Sequence, residues 1–163
     1  MYALDEEGKI YAWGYNYSGQ LGDGTTTNRS TPICISEISG NPLKNKKIVK
    51  ISGGLYRNAV ALDEEGKVYT WGDNYYGQLG DGTTTNSSTP ICISEIEESP
   101  LKGKKIVDIY ASRGIDALDD EGNLYIWGKN NYNDGYKTMP TYINGNFYNK
   151  RVEKMAYGNS GYR

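Results

Sequence analysis

The side chains of this chain that could make or break bonds are few and poorly placed for catalysis. Its 163 residues include no histidine, so the usual group for proton transfer near neutral pH is absent. Glutamate pairs occur at Glu6–Glu7 and Glu64–Glu65. Both pairs fall in predicted turns, whereas a glycosidase needs two carboxyl groups that converge across a cleft. A solvated turn is therefore the favoured interpretation of each pair.

Nucleophilic, metal and phosphate chemistry have equally little support. Cys34 and Cys92 lie in identical Pro-Ile-Cys-Ile-Ser segments, lack a partner base and are too few to bind a metal. We expect both to be small buried side chains. The segments Gly22-Asp-Gly24 and Gly80-Asp-Gly82 lack the lysine and the following helix of a phosphate loop, and neither matches a calcium loop. The sequence predicts no catalytic residue, no metal, no cofactor and no enzyme activity.

A recognition surface has more support, because asparagine followed by tyrosine recurs once per repeat. Tyrosine offers a large, fairly rigid contact area and a hydroxyl, which suits protein recognition. Arg57 and Arg113, each just before a returning strand, complete the candidate set. The alternatives are that the tyrosines cover the sheets beneath them and that the arginines form ion pairs across repeats. The candidate partner-binding residues are Asn16, Tyr17, Asn74, Tyr75, Tyr76, Asn131, Tyr132, Arg57 and Arg113.

These positions recur because the chain contains internal sequence repeats. Trp13 and Trp71 are 58 residues apart, and Trp71 and Trp127 are 56 apart. Residues 5–51 match residues 63–109 at 37 of 47 positions, and most differences fall in turns and loops. A shared framework with a varied surface is typical of a binding scaffold. We divide the chain, as a single domain 1–163, into repeats at approximately 1–58, 59–114 and 115–163.

Each repeat reads as four short strands and no helix. Residues 2–4 and 9–13 flank a turn in which the Asp5 side chain and a left-handed Gly8 are expected to close a hairpin. Strands are predicted at 32–38 and 48–52, and Asn58 restarts the cycle. Pro32 suits an edge strand, where no ladder donor is needed. Successive four-stranded antiparallel sheets joined by turns predict an all-β fold of β-propeller blades.

The third copy is shorter than the others. Trp71 and Pro90 are 19 residues apart, whereas Trp127 and Pro140 are 13 apart. The loss falls in the loop that reads Gly-Gln-Leu-Gly in the first two copies. Terminal repeats are often atypical because they cap a stack, and a variant blade is the alternative. The chain is close to three repeats, so a partial propeller, a fragment of a longer chain and a self-associated ring all stay open.

Charge and composition exclude several partners. Eighteen basic and twenty acidic residues leave a net charge near −2. The short lysine clusters near residues 44–47 and 102–105 fall short of the basic stripe that nucleic acids require. No apolar run has transmembrane length and no signal peptide is evident, so a cytoplasmic location is the default expectation. The bias toward lysine, asparagine and tyrosine favours a bacterial source.

Three segments of the second copy resemble the RCC1 (regulator of chromosome condensation) repeat: residues 58–62 (Asn-Ala-Val-Ala-Leu), 66–74 (Gly-Lys-Val-Tyr-Thr-Trp-Gly-Asp-Asn) and 77–80 (Gly-Gln-Leu-Gly). The resemblance covers essentially the whole chain and implies a propeller with seven blades in the full fold. Asn58 replaces the histidine that the family places before the Ala-Leu strand. That replacement is expected to alter packing between strands without destroying the blade.

The resemblance implies several functions, because function does not travel with the repeat. Members of the family include exchange factors for the small GTPase Ran that bind chromatin, modules of ubiquitin ligases and secreted bacterial β-lactamase inhibitors. No insertion in this chain matches the wedge that exchange requires. We predict a non-catalytic scaffold that binds another protein through its loops, with no nucleic-acid or membrane partner. The alternatives are an exchange factor for a small GTPase and a carbohydrate-binding module.

Overall fold

The computed structural model describes residues 1–129, 135–143 and 152–155. Within those residues the chain forms strands and one short 3-10 helix at Ile35–Glu37, and it contains no helix with the length and hydropathy of a membrane span. The strands are β1 (Tyr2–Leu4), β2 (Ile10–Gly14), β3 (Arg29–Cys34), β4 (Ile48–Gly53), β5 (Asn58–Asp63), β6 (Val68–Gly72), β7 (Ser87–Cys92), β8 (Ile106–Ala111), β9 (Gly114–Asp119), β10 (Leu124–Lys129) and β11 (Tyr136–Ile143).

The strands form three antiparallel sheets in which neighbours in sequence are neighbours in space. The first sheet contains β1–β3, the second β4–β7 and the third β8–β11. In β5 and β6, Ala59 pairs with Trp71 and Ala61 with Tyr69. The three meandering sheets stack face to face, with one hydrophobic cluster between each neighbouring pair. The predicted all-β, blade-like fold is confirmed.

The sheets are offset from the sequence repeats. β4 closes the first repeat in the sequence, yet it pairs with β5 and opens the second sheet. β8 likewise belongs to the third sheet. A tight loop at residues 54–57 joins β4 to β5 and forces them to pair, whereas the long connection at residues 35–47 carries the chain to the next sheet. Each of the first two repeats therefore contributes three strands to one sheet and one strand to the following sheet, and the first sheet has three strands.

The predicted strand at 32–38 ends early. β3 stops at Cys34, and Ile35–Glu37 form a 3-10 turn. The Ser36 hydroxyl accepts a hydrogen bond of 3.0 Å from the Ile10 amide, and Ser94 does the same for Val68 at 3.0 Å. A serine side chain therefore replaces the strand partner at this point, which is how such residues compete with regular structure.

β3 and β7 are edge strands of their sheets, as Pro32 predicted for β3. The proline lies inside each strand, because the strands begin at Arg29 and Ser87. Cys34 and Cys92 lie at the ends of these strands, unbridged and half-buried. Their expected full burial was wrong, because an edge strand leaves one side of its backbone open.

The hairpin turns follow the predicted chemistry. Asp5 Oδ1 accepts hydrogen bonds from the amides of Glu7, at 3.1 Å, and Lys9, at 2.8 Å. Gly8 closes the turn in the left-handed region at φ 83°. The same geometry recurs in the second and third sheets, with Asp63 and Asp119 as acceptors. A side-chain acceptor and a left-handed glycine are what a tight turn of this kind requires.

Each tryptophan of the second and third sheets binds the loop of the sheet before it. Trp71 Nε1 donates to the Gln20 carbonyl at 2.9 Å, and Trp127 Nε1 donates to the Gln78 carbonyl at 3.0 Å. The loop can reach the indole because a glycine lies against it. A Cβ atom on Gly80 would lie 2.7 Å from Trp127 Nε1. Leu79 is fully buried beneath the same loop, and so is Leu21 at the equivalent position of the first loop.

Replacing this glycine is expected to cost more than replacing one in open space. Gly80 and Gly103 have nearly the same φ, 70° and 73°, but nothing lies within 4 Å of a Cβ on Gly103. Gly103→Ala should lose about 1–2 kcal/mol of unfolding free energy from the left-handed backbone. Gly80→Ala should lose about 1–3 kcal/mol more from the clash with the indole. Urea unfolding followed by tryptophan fluorescence measures both, and equal losses would contradict the inter-sheet contact.

Candidate functional site

The recurring loops gather at one end of the stacked sheets. Antiparallel pairing places the connections at residues 15–28, 54–57, 73–86 and 112–113 at the same end. We call this end the loop face. Neighbouring loops are in contact, because Ser18 Oγ lies 3.3 Å from Asp73 Oδ2. Gly24 and Gly82 also donate backbone hydrogen bonds to the outer strand of the following sheet, at Ser88 and Thr138.

Two of the three asparagines of the candidate set, Asn16 and Asn74, hold these loops together from inside. Asn74 is fully buried, and its Nδ2 lies 3.1 Å from Asp81 Oδ1 and 3.1 Å from the carbonyls of Thr83 and Thr85. Its Oδ1 accepts the Leu79 amide at 2.9 Å. Asn16 makes the equivalent set of bonds in the first loop. These amides are used within the loop, so they support the surface and do not form it.

The aspartate that binds each asparagine has a different neighbour in each of the two loops. Asp23 Oδ2 lies 2.8 Å from Nε and 2.8 Å from Nη2 of Arg29, whereas the residue equivalent to Arg29 in the second loop is Ser87. Burial of the Asp23 carboxyl alone would raise its pKa. Hydrogen bonds from Thr25, Arg29 and Asn16 outweigh that effect and hold the pKa of Asp23 below its usual value.

The tyrosines, in contrast, are at the surface. Tyr17 and Tyr75 are 68% and 70% exposed, so they do not cover the sheets beneath them. Tyr15, which sequence reasoning left out, is 70% exposed and packs on Tyr17 with ring centroids 5.4 Å apart. Tyr76 is half-buried and meets Tyr75 edge to face at 4.8 Å. The first two loops therefore each place a pair of tyrosines, with at least one exposed ring, on the loop face.

A second group that the sequence did not reveal surrounds Tyr76. Lys129 Nζ lies 4.5 Å from the centroid of the Tyr76 ring and 5.5 Å from that of Tyr56. Tyr56 and Tyr136 approach Tyr76 at 5.6 and 6.3 Å. These residues come from the β4–β5 loop, the β6–β7 loop, the end of β10 and the start of β11. No local sequence pattern links these residues. Only a prediction of how the second and third sheets stack could have shown that they meet.

The arginines of the candidate set also lie on the loop face. Arg57 is exposed and adopts a left-handed backbone with φ 57°, which is uncommon outside glycine. Its carbonyl accepts the Asp73 amide at 3.1 Å, and among the described residues no carboxylate pairs with its side chain. Arg113 is exposed at the equivalent place between β8 and β9. Asn131 and Tyr132 lie outside the described residues.

Asn58, the replacement for the family's histidine, is buried at the start of β5. Its side chain is 1% exposed, and neither amide atom has a hydrogen-bond partner among the described residues. It lies against Gly54, where a Cβ would come within 2.2 Å of Oδ1. β5 nevertheless pairs with β6 from this residue onward, so the strand forms without the histidine.

The opposite end of the sheets is charged rather than aromatic. Lys9 binds Glu7 and Glu37 at 3.0 and 2.8 Å, and Lys104 binds Glu121 at 2.9 Å. A cavity of about 590 Å³ opens here between residues 7–9, 36–37 and 44–47. Its charges are largely paired, and the described part of the chain holds no group of three or more metal-ligating side chains. The Glu6–Glu7 and Glu64–Glu65 pairs lie in this charged end.

Stacked antiparallel sheets with loops gathered on one face define a β-propeller scaffold. Residues 7–60 and 65–115 match the sequence profile of the family described as "Regulator of chromosome condensation (RCC1) repeat", and residues 48–78 match a second profile with the same description. The chain belongs to the RCC1 repeat family.

Known relatives are larger proteins. The E3 ubiquitin-protein ligase HERC2 of Homo sapiens is 36% identical over 133 residues, which are 81% of this chain and 3% of HERC2. The ultraviolet-B receptor UVR8 of Arabidopsis thaliana is 32% identical over 124 residues, which are 76% of this chain and 26% of UVR8. Both relatives are eukaryotic, so they give no support to the bacterial source that the composition favoured.

Solved structures agree on the fold. Prp20p of Saccharomyces cerevisiae, a structure described with its binding to Gsp1p and histones, aligns with a TM-score of 0.68 and 29% identity over 89% of this chain and 36% of that one. Human WBSCR16 aligns with a TM-score of 0.70 at 22% identity, over 87% of this chain and 35% of that one. The chain thus spans about a third of these structures.

Substitutions of Asn74 and Tyr75 should distinguish a residue that stabilises the loop from a residue that only forms its surface. Asn74→Asp replaces a donor by an acceptor that faces two carbonyls and a carboxylate, and we expect a loss of about 3 kcal/mol in unfolding free energy. Tyr75→Ala removes an exposed ring and should change it by no more than about 0.5 kcal/mol. Urea unfolding compares the two variants. A Tyr75→Ala loss as large as that of Asn74→Asp would contradict the division of roles.

The Asp23–Arg29 pair should make stability depend on acid pH. Because the folded-state pKa of Asp23 is lowered, its contribution is present above the unfolded pKa of about 4 and is lost as pH falls through the folded pKa. Arg29→Ser, which copies the second loop, should weaken this dependence. Lys44→Ser, at the opposite end, should leave it unchanged. Unfolding free energies measured from pH 6 down to about pH 2 provide the comparison.

Proposed function

We propose that this chain is a non-catalytic recognition module that binds another protein through the loop face. The observation that carries the proposal is the row of exposed tyrosines held on rigid loops. Tyr17 and Tyr75 occupy equivalent positions in the first two loops, and each loop is fixed by a buried asparagine and by hydrogen bonds to the next sheet. Exposed aromatic rings on a preorganised backbone lose little entropy on binding.

The variation between repeats supports the same conclusion. Asn16, Gln20 and Leu21 are retained as Asn74, Gln78 and Leu79, which build the loop. The exposed Tyr15 becomes the half-buried Asp73, and the buried Ser18 becomes the half-buried Tyr76. A constant frame with a changing surface gives each blade a different contact, which favours one extended macromolecular partner over several copies of one small ligand.

Regulation of a small GTPase is the second candidate. Its support is family membership and the similarity to Prp20p, a protein described as binding Gsp1p. The described loops of the first two sheets are nearly identical in length, and neither contains an added segment that could act as a wedge. The ligase activity in the name of HERC2 belongs to a protein of which this chain matches 3%.

The test compares a double tyrosine substitution on the loop face with a single tyrosine substitution elsewhere. Proteins retained from an extract of the source cells by the immobilised chain are identified, purified and titrated against it by calorimetry. Tyr17→Ala together with Tyr75→Ala should weaken binding by at least about tenfold, as expected for central aromatic contacts. Tyr142→Ala is the matched control, because Tyr142 is 51% exposed on β11 but far from the loops. Its binding constant should stay within about twofold.

Two results would contradict the proposal. One is an equal loss of affinity in the Tyr142→Ala control and in the loop-face variant, which would place the contact elsewhere. The other is faster release of fluorescent GDP from a Ran-class GTPase when the purified chain is added, which would assign exchange instead.

A further inference from the structure

Tyr56, Tyr75, Tyr76, Lys129 and Tyr136 form a continuous aromatic and cationic patch across the second and third sheets. Each ring lies within contact distance of another member, with centroids 4.8 to 6.3 Å apart. The Lys129 ammonium lies over two of the rings. Tyr75 and Tyr136 are 70% and 53% exposed. We call this group the lysine–tyrosine patch.

No carboxylate of the described residues forms an ion pair with the cations beside this patch. Within the described residues, Lys129 and Arg57 make no ion pair. The nearby carboxylates are used by the loops: Asp73 accepts from the Tyr75 amide at 3.1 Å and from Gln78 Nε2 at 3.2 Å, and Asp81 accepts from Asn74 and Thr83. These acids therefore satisfy backbone and amide donors instead of neutralising the cations.

The opposite end of the sheets shows the contrast. There the lysines of the repeated turns meet glutamates of the same or the adjacent sheet. The pairs are Lys9 with Glu7 and Glu37, Lys46 with Glu65, Lys47 with Glu64, Lys67 with Glu95, Lys102 with Glu97, and Lys104 with Glu121. Most lysines at that end are in ion pairs, whereas among the described residues no carboxylate pairs with Lys129 or Arg57.

We infer that the lysine–tyrosine patch binds an acidic segment of a partner protein, with an aspartate or glutamate carboxylate at Lys129 and apolar side chains against the exposed rings and Leu55. The inference rests on the proposed function and names the chemistry of the partner. A lysine held between rings is partly desolvated, so a charge-assisted bond to a carboxylate is stronger there than in open solvent. Leu55, 76% exposed, supplies apolar area on the loop that also carries Arg57.

Nucleic acid is the less favoured occupant. A phosphate backbone carries one charge per nucleotide and needs a sustained line of cations. The patch contains one cation, Lys129; Arg57 follows Tyr56 in the sequence, and Asp73 lies on the adjacent loop. One or two carboxylates in an otherwise apolar segment match this charge, whereas a polyanion does not.

The test begins with peptide selection against a charge-reversed control. A random displayed-peptide library is selected on the full chain after depletion on Lys129→Glu, and the recovered sequences are counted. We expect enrichment of aspartate or glutamate next to aromatic or aliphatic residues. Recovered sequences without acidic enrichment would overturn the inference. The proposed function is tested separately, with an identified partner and with tyrosine variants. The outcome of that test does not depend on the outcome of the peptide selection.

Anisotropy titrations of one selected peptide then define the charge dependence. Its Glu-to-Gln form should bind about tenfold more weakly, and so should the parent peptide to Lys129→Met. The Glu-to-Lys form of the peptide should bind the Lys129→Glu protein more tightly than it binds the wild-type protein. A misfolded variant does not give this gain in affinity. Lys44→Met, at the opposite end, should bind as the wild type does. Single-stranded DNA of equal length that binds as tightly as the acidic peptide would overturn the assignment to protein.

Discussion

The contact between a tryptophan indole and a glutamine carbonyl of the preceding sheet is the constraint on which the stack depends. The Trp71–Gln20 and Trp127–Gln78 bonds fix how far each loop lies from the next sheet. That distance leaves no room for a side chain at Gly22 or Gly80. It also places Leu21 and Leu79 in the gap between sheets. One short Gly-Gln-Leu-Gly segment thereby supplies the acceptor, the close approach and the apolar plug of the joint.

Most of the fold could be predicted from the sequence because its signals are local. The Asp5 and Gly8 turn, the alternation from Ile10 to Trp13 and the proline at the edge of β3 each depend on neighbouring residues. The offset between repeat and sheet could not be read in this way. β4 is equally compatible with the strand before it or the strand after it in the sequence. The length of the connecting loops decides between them, and that choice is made in three dimensions.

The candidate site was only partly accessible to sequence reasoning. Asn74 and Tyr75 are neighbours that recur together, so the sequence predicts the same partner-binding role for both. The structure separates them, because the asparagine points its amide at four acceptors inside the loop while the tyrosine is exposed. The patch around Lys129 was missed because its residues lie up to 80 positions apart, between Tyr56 and Tyr136. These residues belong to different sheets and meet only because the second and third sheets stack.

The staggered relation between repeat and sheet has a consequence for how such a chain grows. Each of the first two copies, of about 58 residues, carries one strand that completes the sheet after it and one loop that docks on that sheet's tryptophan. In-frame duplication of a copy therefore reproduces a complete joint together with the blade. The new copy pairs strands with both of its neighbours as soon as the chain folds. Unequal crossing-over can lengthen the array without inventing a new interface, while substitutions at the rim alter what it recognises.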